Sequence, residues 1–340
     1  MRRIRPITAS ATAAIMLLLP ALFAMPAPAM ATPVAATVSA DSHLRIVDLG
    51  TLGGPQDAST ANAVNNHGEV VGWSAVNDPF VVHAFLWRHG KMTDLAPLWA
   101  ANDINDHGVI VGNGASANGE HHGFRLANGK LTDLGTLGGD YSEARAINNR
   151  GQIVGLSRTA DGMPHGYVWA NGKMTELPLL AASGINDHGQ IAGEYYAPPT
   201  GATHAVIYDL RSRTLTDLGT GASWFSEALA VNQRGQAAGY IGDAGPGHPV
   251  NSAFFWSKGH LTDLGAMGDD SSQAMGINDH GTVVGSTSRI GFVWRDGTMT
   301  ALNGLSGGSG AAAINDHGVI VGSSGFRSGT IDTFHAVLWR

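Results

Sequence analysis

From residue 44 to the C-terminus, short apolar stretches alternate with turn residues, and almost nothing shows the spacing of an amphipathic helix. Residues 144–177 illustrate the pattern. The runs ARAIN (144–148), QIVGL (152–156), GYVW (166–169) and KMTEL (173–177) are separated by Asn-Arg-Gly, by a polar loop and by Ala-Asn-Gly. Each run is brief, alternating or wholly apolar, and bounded by turn formers, which predicts four β-strands. The first connection has the Asn that a type I turn prefers, then a Gly where φ must turn positive. In the third connection, Asn128-Gly129, Asn171-Gly172 and Asp296-Gly297 are strong two-residue hairpin signals.

The opening Asn of the first turn recurs as Asn65, Asn105, Asn148, Asn186, Asn232, Asn278 and Asn315, at intervals of 37 to 46 residues. Gly follows three positions later and Ala precedes by four in all seven copies. Four short strands per period predict an all-β fold, a seven-bladed β-propeller of four-stranded antiparallel blades. Small residues such as Ala61 and Ala63, or Ala144 and Ala146, mark the first strand as the one nearest the axis. The aromatic that ends the third strand (Trp87, Trp169, Tyr208, Trp256, Trp294, Trp339) is expected to pack between neighbouring blades.

The seventh copy stops one strand short, whereas HLRIVDLGTLGG (43–54) reads as the end of a unit and matches KLTDLGTLGG (130–139). Residues 44–49 are therefore expected to supply the outer strand of the last blade and close the ring. A β-helix-like solenoid is the competing architecture, and it leaves the split unit unexplained.

Composition sets the compartment. Arg2, Arg3 and Arg5 precede an apolar run broken by Pro20 and Pro26, and Ala29-Met30-Ala31 follows. That is a secretory signal peptide over 1–31, with 32–43 as a linker before the repeats at 44–340. The expectation is a secreted or periplasmic protein without membrane insertion after cleavage. A net charge of −7, more acidic still without those arginines, gives no reason to seek nucleic acid. With no cysteine, the exported chain must rely on its core and hydrogen bonds.

Three phrases carry a resemblance: INDHGQIAG (185–193), HAFLW (83–87) and DLGTLGG (48–54 and 133–139). Together, at one period, they resemble the HAF family of extracellular repeat proteins over nearly all of 44–340. Only His83-Ala84-Phe85 is verbatim; the other units read His122-Gly123-Phe124, His165-Gly166-Tyr167, His204-Ala205-Val206, Ser252-Ala253-Phe254 and His335-Ala336-Val337. The resemblance implies export and a repeat fold, and no activity.

Chemistry is not evident in the repeated positions. His67, His107, His188, His280 and His317 share one turn position, which Arg150 and Arg234 occupy in two other units. Equivalent positions in neighbouring blades lie too far apart to share one metal ion, so no metal site and no cofactor is expected. Calcium-loop, HExxH and phosphate-loop motifs are absent from the sequence. Binding is sought instead on the face that carries the variable loops. Its candidate ligand-binding residues are Tyr141, Glu143, Tyr195, Tyr196, Trp224, Phe225, Glu227, Asp269 and Asp270, with Asp57 a further carboxylate. The favoured reading is a non-catalytic scaffold for glycan, peptide or another exported protein. The alternative is a polysaccharide hydrolase or lyase in which two carboxylates, such as Glu143 and Glu227, face each other.

Closure by the N-terminal strand is open to a direct test: deleting residues 32–50 is expected to lower the melting temperature by many degrees. An unchanged melt would remove the closed ring.

Overall fold

A computed structural model describes residues 44–340 apart from 79, 200, 244–249 and 329–330. The signal peptide and linker expected at 1–43 lie outside the described residues. Every regular element described is a β-strand. Among the described residues no helix is long and apolar enough to cross a membrane.

The strands form four-stranded antiparallel sheets, one per sequence repeat, here units I to VII. Their first strands are Ser59–Val64, Leu98–Ile104, Gly138–Ile147, Ala181–Ile185, Phe225–Val231, Ser272–Ile277 and Ser309–Ile314. Units II and III are further joined by one parallel pairing, Tyr141 with His121. In unit VII the fourth strand is Ile46–Gly50, which pairs antiparallel with Ile331–Trp339 (Ile46 opposite Trp339, Asp48 opposite Val337). The hydrophobic core lies between sheets. Seven clusters each join two neighbouring units, and one of them unites Leu49, Val321 and Leu338 of unit VII with Ala61, Val70 and Phe85 of unit I. The third-strand tryptophans sit in or against these clusters, as their position predicts. Such sheets, packed face to face in succession, make a β-propeller arrangement.

The repeated Asn explains how the sheets are tied. It is buried in every unit. In unit III, Asn148 Oδ1 accepts the N–H groups of Arg150 and Gln152, which closes the turn. Its Nδ2 reaches out of the sheet to the Asn186 carbonyl at 3.0 Å. The same bond runs from each Asn to the next, and Asn315 donates to the Asn65 carbonyl at 2.9 Å. Each contributes about 0.5–1.5 kcal/mol net, and more is lost if a buried partner is left unpaired.

A second strap links the third and fourth strands within units. His83 meets Asp94 (2.9 Å), His165 meets Glu176 (3.1 Å), and His122 and His204 meet Asp133 and Asp217. In unit VII His335, 3% exposed, meets Asp48 at 2.9 Å and so ties the N-terminal strand to the C-terminal one. Burial raises the Asp48 pKa, yet the hydrogen bonds from His335 and the Gly50 N–H outweigh it and hold the carboxyl below its ordinary value.

Each first strand carries a β-bulge two residues beyond its close crossing with the second strand. In unit III the register shifts between Ala144 and Ala146, leaving Arg145 unpaired. A Cβ on Gly155, opposite Ala144, would lie 1.8 Å from the Glu143 carbonyl oxygen, so only glycine fits. The paired Ala144 is fully buried, as is its equivalent in units I, II, IV, V and VI. Ala144 and its equivalents thus pack between sheets. The bulge residue beside them faces the axis, because the bulge re-aims its side chain, and Ala63, Ala146 and Ala313 line the axis with it.

At the Asn-turn end, the residue after each Asn forms a second ring. Its members in order are Asn66, Asp106, Asn149, Asp187, Gln233, Asp279 and Asp316, and each backbone N–H donates to the next side-chain oxygen at 2.7–3.0 Å. Amides and carboxylates alternate: Asn66 Nδ2 bridges Asp106 and Asp316, and Asn149 Nδ2 bridges Asp106 and Asp187. An odd ring cannot alternate throughout, and the mismatch falls between Asp279 and Asp316. The electrostatics follow the pattern. For Asp106, burial is outweighed by the hydrogen bonds of Asn66 and Asn149, and its pKa is lowered. For Asp279, burial and the neighbouring Asp316 carboxylate prevail over the Gln233 N–H, and its pKa is raised.

A raised folded-state pKa contributes stability that is present at acid pH and lost as pH rises through it. Asp279→Asn keeps the acceptor for Gln233 and supplies an amide to Asp316. It is expected to raise the melting temperature at pH 7 by about 1–3 °C, corresponding to about 0.5–1 kcal/mol, and to raise it less at pH 4. Melts at the two pH values check this; a lower melting temperature at pH 7 would remove the mismatch.

Candidate functional site: the axial mouth on the variable-loop face

The unpaired bulge residues are Asn62, Asn102, Arg145, Ser183, Leu229, Met275 and Ala312. All seven line one recess of about 250 Å³ on the axis. It is separated from the acid–amide ring by a girdle of apolar residues that includes Val64, Ile185, Val231, Ile277 and Ile314, which border both cavities. Beside the alanine that repeats in every unit, this position differs chemically from unit to unit. Units I to IV present a polar arc and units V to VII an apolar one.

The polar arc is embedded in a network. Asn62 Nδ2 donates to the Ala101 carbonyl (2.9 Å) and Asn102 Nδ2 to that of Ala144 (2.7 Å). Arg145 Nε donates to Glu143 (3.2 Å) and its Nη1 to Ser183 Oγ (3.2 Å). The Ser183 hydroxyl donates to Glu227 Oε1 (3.2 Å), and the Tyr240 hydroxyl donates to Glu227 Oε2 (2.6 Å). Glu194 stands beside this chain with no hydrogen-bond donor to its carboxyl among the described residues. Burial and the Glu227 charge, opposed by Arg145, push its pKa up to about 7. Next to the arc, burial pushes Asp103 up to about 6 although the Ile147 and Ile104 N–H groups both donate to it.

The sequence-derived candidates separate into three places. Glu143 and Glu227 belong to the axial network, joined through Arg145 and Ser183 rather than facing each other. The carboxyl that neighbours Glu227 is Glu194. Tyr141 and Phe225 stand close by as supports. Tyr141 stacks on His121 at 4.5 Å with the Arg158 guanidinium over its ring at 5.4 Å, and Phe225 meets Tyr240 edge-on at 6.2 Å.

Tyr195 and Tyr196 border a separate, mainly apolar groove with Met163, Pro164 and Pro178. The Tyr195 hydroxyl is held by Asp217 at 2.9 Å, while Tyr196 is 59% exposed. Trp224 is 76% exposed on its loop and Asp270 is exposed. Asp269 braces the neighbouring 287–290 loop, accepting the Thr287 hydroxyl and pairing with Arg289 Nε at 3.1 Å. Asp57 likewise accepts the N–H of Gly54 in its own loop. The turn histidines are exposed, and among the described residues no group of three or more His, Cys, Asp or Glu is placed to hold a metal ion.

Sequence reading missed Arg145, Ser183, Glu194 and Tyr240. The first two had a signal: beside the alanine that every repeat keeps, their position changes chemistry from repeat to repeat. Glu194 and Tyr240 occupy the same second-strand position in units IV and V, immediately after the repeated Gly193 and Gly239.

No family model and no curated protein matches the chain. Solved structures do. TolB from Acinetobacter baumannii is 12% identical over 76% of this chain and 75% of its own, with a TM-score of 0.45. The β-propeller domain of the Trilobed protease from Pyrococcus furiosus, of open velcro topology, is 13% identical over 68% of this chain and 77% of its own, with a TM-score of 0.46. A puromycin-hydrolyzing peptidase from Mycobacterium tuberculosis is 11% identical over 82% of this chain, which spans about half (52%) of that protein, with a TM-score of 0.50. At such identities the likeness concerns fold alone.

Glu194 supplies a test of the network. Its pKa, raised from 4.5 to about 7, makes a contribution that is full below pH 4.5 and lost as pH rises through 7. Glu194→Gln is expected to flatten the fall in stability between pH 5 and 8 and to be more stable than the parent at pH 8 by about 1–2 kcal/mol. Parallel denaturation curves across that range measure it; identical slopes would place Glu194 in water.

Proposed function

We propose that the protein is an exported, HAF-type, seven-bladed propeller, closed by its N-terminal strand, that serves as a non-catalytic binding scaffold. Its ligand is held at the axial mouth on the variable-loop face. The observation that carries this reading is the bulge: a rigid, repeated frame aims one non-repeating side chain per unit into a single recess. Closure is supported by the pairing of Ile46–Gly50 with Ile331–Trp339, by the His335–Asp48 contact, and by the Asn ring that returns from Asn315 to Asn65. Export rests on the sequence pattern at 1–31. Glycans, peptides and exported proteins are the ligand classes that suit a face of carboxylates, hydroxyls and one arginine.

One observation favours a second reading, a glycan-active hydrolase or lyase. Glu194, whose pKa burial and the Glu227 charge push up to about 7, stands beside Glu227, and two neighbouring carboxyl groups are what acid and base catalysis of that kind uses.

A thermal-shift screen of the purified protein against soluble oligosaccharides and short peptides distinguishes the readings, since a ligand of the folded state raises the melting temperature. A binding ligand is expected to shift the melt by several degrees, with the shift lost in Arg145→Ala. Turnover of that ligand, abolished in Glu227→Gln with binding retained, would replace the scaffold by the enzyme. A shift that survives Arg145→Ala would move the site elsewhere.

A further inference from the structure

The axial recess divides into two arcs, and the ligand class they select rests on the proposal that the axial mouth is the binding site. Arg145 is the one cation that lines the recess. Glu143 accepts from its Nε and Ser183 from its Nη1, which fixes the plane of the guanidinium. Of its five N–H groups, the second on Nη1 and both on Nη2 have no partner among the described residues. The one carboxyl in the lining, Asp103, already accepts the N–H groups of Ile104 and Ile147, and Glu143, Glu194 and Glu227 do not line the recess. Unspent donors on a fixed cation ask for an anion, and a carboxylate takes two of them at once.

The neighbouring bulge residue adds an acceptor. Asn102 Nδ2 donates to the carbonyl of Ala144, the residue before Arg145, so the carboxamide is oriented beside the guanidinium. Its Oδ1 has no donor among the described residues and can take an N–H from a ligand. On the apolar arc, Leu229 and Met275 offer aliphatic surface, and Met275 is 38% exposed with no polar function to satisfy. A flexible methionine beside leucine suits aliphatic side chains of varied shape. No aromatic ring lines the recess, so the stacking surface that a sugar ring uses is missing there. A recess of about 250 Å³, bounded by the apolar girdle on its inner side, holds the end of a chain and not a whole oligomer.

We propose that the axial recess binds the carboxyl-terminal residue of a peptide, its carboxylate paired with Arg145, its backbone N–H donated to Asn102 Oδ1, and its aliphatic side chain resting on Leu229 and Met275. The partner is thus an extended chain that ends in an apolar residue with a free carboxylate. A small aliphatic acid brings the same carboxylate and the same apolar group, but it has no N–H for Asn102.

Calorimetric titration of the intact protein with Nα-acetyl-Gly-Gly-Leu and with its carboxyl-terminal amide tests this. The free acid is expected to bind at least tenfold more tightly than the amide, and Arg145→Gln to weaken the acid about tenfold while leaving the amide little changed. Met275→Thr, a change at a partly exposed side chain with no hydrogen bond to lose, is expected to cut the preference for the Leu peptide over Nα-acetyl-Gly-Gly-Gly several-fold while leaving the melting temperature close to that of the parent. 4-Methylpentanoate, the free acid of similar shape, is expected to bind more weakly than the peptide; binding as tight as the peptide's assigns the recess to a small acid and overturns the peptide. Equal binding of acid and amide overturns the carboxylate. Binding of an oligosaccharide, neutral or uronic, lost in Arg145→Ala, with no response to any peptide, overturns the peptide and keeps the axial mouth as the site. Silence from every probe, or binding that neither variant alters, overturns both.

Discussion

The fold depends on a single side chain used seven times, the buried asparagine that opens the first turn. Its position demands an acceptor for two backbone N–H groups of its own turn and, at the same time, a donor for a carbonyl in the neighbouring sheet. Aspartate has no donor, serine is too short to satisfy both sides, and glutamine places the amide too far out; only asparagine meets the requirement. One carboxamide therefore fixes local turn geometry and inter-sheet spacing together. Because the bonds return from Asn315 to Asn65, the spacing of every sheet is set by its neighbours on both sides.

That coupling explains where the rest of the stabilisation lies. Sheets held at a fixed separation bury apolar surface against each other, and the seven clusters are accordingly between sheets, not within them. Buried serines add a further strap. Ser226 donates to the Gly219 carbonyl and accepts the Ala205 N–H, with Ser59, Ser142, Ser272 and Ser309 placed alike. Small residues are needed where strands cross closely, which is why the Gly155 class recurs opposite each bulge.

Much of this was legible in the sequence. Strand number, turn positions and the split final unit follow from periodicity, because hairpin chemistry is local and the Asn and Gly residues state it directly. Type I′ geometry at Asn128-Gly129 and Asn171-Gly172 appears as the dipeptides predict, with both residues at positive φ. The bulge was not legible. Ala-Arg-Ala at 144–146 reads as simple alternation, and nothing local says that Arg145 is the unpaired residue; that is decided by the close contact between Gly155 and the Glu143 carbonyl in the adjoining strand. For the same reason loop residues such as Trp224 and Asp269 drew attention, whereas the polar network assembled from five different units could not be seen before the units were placed side by side.

The two ends of the axis also divide the demands made on the chain. At one end, a ring of amides and carboxylates accepts a backbone N–H from every unit, so a change in any member is felt by its neighbours on both sides. At the other, the bulge residues are relieved of backbone pairing, and a girdle of valine and isoleucine separates them from the ring. Side chains there can change without disturbing the straps, because the ladder of each sheet passes them by. Asn, Arg, Ser, Leu, Met and Ala all occupy one repeat position that the fold leaves unspecified. A repeated scaffold acquires an individual site at the position its own symmetry does not use, and in this chain that position points into the axial recess.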